Sequence, residues 1–551
     1  MEDPNILQAA LAAGLFYLSW LILRPFIVKS PLDNIPGPPR DSWFTGNMKE
    51  YFTSNCWDYR TELSRKYPRV ALLHGILGAR VLQVWDIKAM YEIFVKEMDT
   101  YEEPIQSGIA TTVPYFVDIG QTVGAGKQHR KQRKMLNPVF SVKHLRDMTP
   151  LFYEVIHRTR DAIMQRVRTD IDGKDGVELD ILSWSGRTTL EILGQAGLGV
   201  SFDPLTEDQP DEFATAVKEF FPQVARSVAF RGLVPIVTKL GPASFRRWVV
   251  ERIPLDAVQQ LRRICDVMHE RSVQIFNEKK AALGSGDDAI KNQIGEGRDI
   301  MIRENMLASE DDRLPDDELI AQISTMVLAG MDTTANSLAR VLQLLAGRPD
   351  VQDKLRQEIL QAVIRDGDGD RLDFDKVMEL PYLEAVCRET LRVYPGVTNL
   401  FRRTTKDVVV PLSEPIRMRD GTIVNAIPIP KGTEILPNVV ASNVDPALWG
   451  PDADVWRPER WLEPLPRAVE EARVPGVYSH LMTFIGGNKS CIGFKFAQIE
   501  MKTVLLILLQ YFEFKPTGKQ IFWNFAGVQY PSVGKPGPDP GLPLIVSTLS
   551  P

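Results

Sequence analysis

Hydrophobic and polar positions divide this chain into a few strongly patterned stretches. From Asp316 to about Arg348 apolar residues return at Ile320, Ile323, Val327 and Leu328, the spacing of one helix face. Pro315-Asp316-Asp317-Glu318 opens that stretch, with acids where the positive end of a helix favours them. A second, apolar helix is predicted from Phe494 to Gln510 (Phe496, Ala497, Ile499, Glu500, Met501, Val504, Leu505, Leu508). Between Tyr67 and Val84 apolar and polar residues alternate around glycines, which predicts a small antiparallel sheet. Phe522 to Val528 reads as a hairpin and Tyr101 to Val123 as a long loop. Residues 284–313, rich in Gly, Asp and Glu, read as an exposed connection. Residues 203–255, aromatic and broken by prolines, suit a pair of hydrophobic core helices.

Residues 6–23 carry no charge and span roughly 27 Å as a helix, about one bilayer core. Glu2 and Asp3 precede them, and Arg24 and Lys29 follow, which orients the amino terminus to the lumen and the body to the cytosol. A cleaved signal peptide is the competing reading; the acidic start and the lack of a small-residue cleavage site argue against it. Ile35-Pro36-Gly37-Pro38-Pro39 is a stiff hinge, because successive prolines fix φ. Residues 1–29 are thus expected to be a membrane anchor, 30–40 a proline-rich hinge and 41–551 one catalytic domain.

Composition narrows the partners. At 551 residues, 44% of them hydrophobic, the chain can bury a large core as one domain or two. A net charge of −6 without a long basic tail gives no reason to expect nucleic acid. Cys56, Cys265, Cys387 and Cys491 have no paired spacing, so a reducing compartment fits better than a disulfide framework.

Candidate chemistry centres on Phe484-Ile485-Gly486-Gly487-Asn488-Lys489-Ser490-Cys491-Ile492-Gly493. The glycines allow a tight turn that aims N–H groups at the sulfur. Those donors, a nearby cation and the start of the following helix favour a thiolate, the form that ligates metal. Taken alone, the cysteine could equally be a buried thiol in a turn. Upstream, Ala329-Gly330-Met331-Asp332-Thr333-Thr334 sets a glycine in mid-helix, at a cost of about 1 kcal/mol against alanine. Either the helix opens at Gly330 for a small ligand, or Gly330 packs against another helix. Gly124 to Leu136 is the most basic segment, a solvated helix face or a dock for an acidic protein. Glu389 and Arg392 stand at i, i+3 on a helix.

In this order, from residue 35 to 530, these motifs resemble the cytochrome P450 family. The resemblance implies a mainly α fold with small β-sheets, the cytochrome P450 fold, preceded here by one N-terminal transmembrane helix. It implies haem b (iron protoporphyrin IX) with Cys491 as the iron's axial ligand, O2 as co-substrate, and monooxygenation of a lipophilic small molecule. Asp332 and Thr333 would form the proton relay, in the oxygen-binding helix that carries Gly330. Phe484 matches the aromatic of the ligand loop. Lys489 stands where the family usually has Arg or His, and His129 where it has Trp, with Arg133 one turn further on. These three and Arg402, with Arg403 as an adjacent rival, are expected at the haem propionates. Glu389, Arg392 and Arg460 would form a structural cluster, two guanidinium forks on one carboxylate. Residues 101–123, Val397 to Leu400 and 522–528 would line the pocket, and 203–255 would form its lid.

No flavin- or nicotinamide-binding region is apparent, so electrons are expected from NADPH through a partner, NADPH–cytochrome reductase, on the same membrane. The implied location is the endoplasmic reticulum membrane, single-pass, with the catalytic domain cytosolic. The style of the sequence resembles fungal secondary-metabolite members, which suggests a terpenoid substrate. Two other readings are a haem-thiolate isomerase or dehydratase and a non-catalytic membrane haem-binding protein; the intact Asp332-Thr333 pair argues against both.

Overall fold

The computed structural model describes residues 20, 23, 24, 27–67, 69–104, 126–170, 176–203, 205, 212–226, 241–285 and 300–549. Its contacts group the chain into two units. The first comprises Met1–Pro104, Asn399–Ser442 and Ala472–Lys489; the second comprises Ile105–Thr398, Asn443–Glu471 and Ser490–Pro551.

The first unit is built on a sheet. The alternation before Val84 yields the expected antiparallel pair, Val70–His74 with Arg80–Val84, in which Leu72 faces Leu82. Glu434–Pro437, Arg402–Thr404 and Tyr101–Glu102 extend it to five strands. Every residue of Val70–His74 is buried although the strand lies at the sheet's edge. The cover comes from the proline-rich stretch. Leu72 N–H donates to Pro36 O at 2.9 Å, and a Cβ on Gly37 would lie 2.0 Å from Leu72 O, so only glycine permits that approach. With Leu32 and Ile35 fully buried, the expected hinge is docked along the sheet edge.

The second unit is helical, with a three-stranded sheet (Val177–Asp180, Pro543–Thr548, Phe512–Pro516) and the expected hairpin, Ile521–Phe525 with Gln529–Val533. The long helix runs Asp316–Ala346, entered from Pro315 and left at Gly347. It packs against the helices Ile181–Leu193 and Asp256–Ser285. The apolar helix runs Phe494–Tyr511 and is buried along most of its length. One expectation is corrected: 284–313 is not a plain connection. The helix from Asp256 continues to Ser285, and Ile300–Leu307 forms another whose Met301 and Ile302 are buried. That short apolar run was masked by its polar surroundings in the sequence. Of residues 203–255, the described helices are Glu212–Arg226 and Ala243–Glu251. Phe220 and Phe221 are core, whereas Phe245 and Trp248 are exposed.

The expected anchor at about 6–23 lies almost wholly outside the described residues; of the expected loop 101–123, Tyr101–Glu102 is a strand instead and 105–123 lie outside them. Among the described residues no helix is long and apolar enough to cross a membrane. All four cysteines are free.

The expected ion-pair cluster exists with a different division of labour. Glu389 is wholly buried and takes a fork from Arg392, Nη2 to Oε1 at 2.7 Å and Nε to Oε2 at 2.8 Å. Arg457 N–H and Trp461 Nε1 donate to the same carboxylate, each at 3.0 Å. Arg460 reaches it only through Nε, at 3.4 Å. Its own fork closes on Asp452, at 3.0 and 3.2 Å. Two forks do not share Glu389, because one carboxylate already holding a fork and two neutral donors has no room for a second. Glu389→Ala strands Arg392 without a counter-charge out of water, and a loss of about 3–5 kcal/mol is expected. Thermal unfolding measures it; an unchanged Tm would show that the cluster does not hold this layer.

Candidate functional site

Cys491 lies just before the helix Phe494–Tyr511, with Gly493 at the helix's cap position. The Gly493 N–H donates to the sulfur and the Arg133 guanidinium acts on it from the basic helix, both favouring the thiolate. Burial outweighs them and pushes the thiol up. Yet Cys491 is exposed. Protein packs closely around a sulfur whose residue still keeps exposed surface. Such a thiol is neutral and surrenders its proton to a metal.

The basic helix, Lys127–Leu136, is fastened by its polar side. Gln128 and Gln132 donate to Glu318 in the first turn of the long helix, at 2.6–3.0 Å. Arg133 is half-buried, donating from Nη1 to Ser490 O at 2.5 Å and from Nη2 to Ser490 Oγ at 3.3 Å. The cation acting on Cys491 is thus Arg133, placed there through a backbone carbonyl that sequence reasoning missed. His129 is half-buried; Lys127, Arg130 and Lys134 are exposed, the last paired with Asp312 at 2.7 Å.

On the long helix, Ala329 is exposed although Val327, Leu328, Met331 and Asp332 around it are buried. With half-buried Gly330 and Thr333 it forms an open face in the middle of a buried helix. The two readings of Gly330 resolve toward packing. The helix is continuous, and a Cβ at Gly330 would lie 2.7 Å from Leu193 Cδ2. Thr333 Oγ1 donates to Ala329 O at 2.7 Å, which leaves its lone pairs for a neighbour. Asp332 points elsewhere: it is buried, accepts from Asn336 Nδ2 at 3.0 Å, and joins Thr333 by no hydrogen bond among the described residues. Burial pushes its carboxyl up to about 7, against the pull of Lys218 and Asn336. The next residue, Thr334, hydrogen-bonds Glu500 of the cysteine helix, whose carboxyl burial raises well above its ordinary range. Sequence reasoning counted Glu500 within an apolar run and passed over Lys218; a charge inside a hydrophobic stretch was the only available signal.

In the first unit, Arg402 is buried, donating from Nη1 to Phe401 O at 2.8 Å and pairing with Glu103 at 3.1 Å. Its guanidinium lies 4.9 Å from the centre of the Phe94 ring, and its Nη2 has no partner among the described residues. Arg403, the rival, pairs with Glu434 at 2.6 Å on a more exposed side. Lys489 is half-buried; burial lowers its pKa, while Glu103 pulls the other way. Phe484 meets Tyr478 edge-on at 5.6 Å. Gly487 has φ of +70°, and a Cβ there would lie 2.0 Å from Phe94 O, so this turn of the loop requires glycine.

These residues fit a haem. An exposed thiol flanked by the Gly493 N–H and the Arg133 guanidinium suits iron, and a buried guanidinium with one nitrogen unpaired among the described residues suits a propionate carboxylate. Cysteine at a helix start and a long helix carrying an acid–threonine pair are the marks of a haem-thiolate oxygenase. The chain belongs to the cytochrome P450 family, which it matches over residues 36–526. It is 48% identical, over 99% of each chain, to cytochrome P450 monooxygenase 91 of Postia placenta. It is 45% identical, over the whole of each chain, to a ganoderic acid synthetase of Ganoderma lucidum. A cytochrome P450 monooxygenase of Hericium erinaceus is 34% identical over 94% of each chain.

The raised carboxyls have a consequence for stability. Above its ordinary value of 3.8 and up to about 7, folded Asp332 keeps a proton that the unfolded chain has released. Glu500 does the same from its ordinary 4.5 upward. Folding therefore takes up protons, and stability falls as pH rises through this window. Asp332→Asn and Glu500→Gln should each flatten the decline of Tm from about pH 5 to about pH 8. A slope equal to that of the parent protein in both variants would mean that these acids are ionised in the fold.

Proposed function

We propose that this cytochrome P450 monooxygenase is a membrane-bound enzyme of fungal secondary metabolism that hydroxylates a lipophilic terpenoid. Electrons reach it from NADPH through NADPH–cytochrome reductase at the endoplasmic reticulum, with the catalytic body in the cytosol. The observation that carries the reading is the exposed Cys491 thiol just before the helix Phe494–Tyr511, with the Gly493 N–H and the Arg133 guanidinium acting on it. The uncharged stretch 6–23 supports the membrane location, and the relative named ganoderic acid synthetase supports the terpenoid.

Bound through Cys491, haem supplies the activation of O2 and the transfer of one oxygen atom into a C–H bond. The second atom leaves as water, with two electrons drawn from NADPH and two protons. The chain's own residues orient and supply protons. Arg133 holds the Ser490 carbonyl and so fixes the direction of the neighbouring sulfur. Arg402, through its unpaired Nη2, and Lys489 serve as propionate partners, with His129 the third. Asp332, with a carboxyl near 7, holds a proton it can release and regain at cellular pH. Thr333, on the open face beside Ala329, is the other member of the relay. Phe221, Met331 and Val528 belong to the apolar core of this unit and keep bulk water out.

A carbon monoxide difference spectrum of the reduced protein should show the strongly red-shifted band of thiolate-ligated haem, and Cys491→Ala should abolish it. Retention of that band in the variant would remove Cys491 from the iron. Thr333→Ala should keep the band but divert roughly tenfold more of the NADPH consumed into peroxide. Unchanged coupling of NADPH to product would remove Thr333 from the relay. Product formed without NADPH would instead favour a rearranging enzyme.

A further inference from the structure

Ala329, Thr333, Ser337 and Arg340 recur at i, i+4, i+8 and i+11 of the helix Asp316–Ala346, so one stripe continues the open face toward the helix's end. Along that stripe lies the segment that leaves the helix Pro381–Val393. A Cβ on Gly396 would lie 3.7 Å from Ser337 Oγ, 3.8 Å from Thr333 O and 4.0 Å from Thr333 Cβ, so the bare backbone of Gly396 rests on these two residues. Ser337 Oγ itself donates to Thr333 O at 2.8 Å.

Gln529, on the hairpin strand Gln529–Val533, holds the segment there. Its N–H donates to Gly396 O at 3.0 Å and its Nε2 to Pro395 O at 2.9 Å, while the adjacent Val528 bridges to Val397. Both valines pack in the apolar cluster that includes Phe221 and Met331. The oxygen of the same amide accepts from Arg340 Nη2 at 3.3 Å. A guanidinium only donates, so Arg340 fixes which end of the amide faces it and leaves the NH2 for Pro395. The guanidinium is lodged 3.4 Å from the centre of the Trp523 ring and 4.2 Å from that of Tyr394, and the two rings stand in for a counter-charge. Trp523 is pinned to the long helix in turn, Nε1 donating to Gln343 Oε1 at 2.8 Å. No carboxylate pairs with Arg340 among the described residues, and its buried Nε has no hydrogen-bond partner there. An apolar side chain would fill this space without the cost of withdrawing a charge from water. What the arginine adds is direction at Gln529.

We propose that Arg340 and Gln529 are positioning residues of the oxygenation site. The guanidinium orients the amide, the amide holds Pro395–Val397 against Thr333, and that hold limits the bulk of the molecule admitted beside Thr333. The proposal rests on the monooxygenase reading and names what sets specificity at that same site.

The test uses the full-length, haem-loaded protein with imidazole and 1-phenylimidazole, two iron ligands of different bulk whose binding is read from haem absorption on titration. Arg340→Met and Gln529→Leu should each strengthen 1-phenylimidazole relative to imidazole by about fivefold. The double variant should shift the ratio no further than either single change, because both cut one chain of contacts. An unchanged ratio, a ratio moved toward imidazole, or additive shifts overturn the proposal. A purely structural residue would lower Tm and move both affinities together, and that result overturns it as well. Amide hydrogen exchange gives a readout that needs no haem. Peptides across 526–530 should exchange about fivefold faster in both variants, while the helix Phe494–Tyr511 keeps the parent rate. Unchanged exchange at 526–530 would show that the hold does not depend on this joint. Arg340→Lys, which keeps the charge without the flat guanidinium, replaces Arg340→Met should that variant fail to fold. Absence of the thiolate band from the parent protein would strike the monooxygenase reading, a result separate from the exchange rates.

Discussion

Glu389 keeps a carboxylate where no water reaches, and the helical unit is arranged to supply what water would have given it. A guanidinium fork, a backbone N–H and an indole N–H converge on its two oxygens, and a second arginine touches it on the way to Asp452. The same demand for partners runs through the interior, in Arg187 with Asp203 and in Lys502 with Glu384. Against that background, an unsatisfied buried charge carries information. The Nη2 of Arg402, unpaired among the described residues, is such a place. Where the fold leaves a charge open, a ligand is the missing member.

A neutral acid plays the complementary part. Glu500 sits just under two turns along the helix that begins beside Cys491, and its hydrogen bond to Thr334 ties that helix to the one carrying Thr333. The protonated carboxyl can sit among apolar side chains without a counter-ion, so it joins the two helices without adding a field at the sulfur. Burial that suppresses the charge thus serves the packing of the two helices.

Local chemistry made much of this legible in the sequence. Pro315 with its three acids and Gly347 bracket the long helix, and the glycine-rich loop before an apolar run locates Cys491 and its helix. What stayed hidden depends on distant pairings. Nothing in the neighbourhood of Arg133 indicates that it grips Ser490, nor does the motif around Arg460 reveal that its fork belongs to Asp452. The proline stretch reads as a stiff hinge because its docking on Leu72 requires a strand made elsewhere in the chain.

The contact between Gly330 and Leu193 couples two positions far apart in sequence into one volume. The long helix lies close to its neighbour because a hydrogen atom, not a methyl, meets the leucine's branch. Bulk can therefore be traded between the two sites: a larger residue on one helix is admitted by a smaller one on the other. Through such an exchange a lineage can alter the width of the space beside Ala329 while Cys491, Asp332 and Thr333 stay as they are. Diversification of substrate and preservation of chemistry are in this way assigned to different residues.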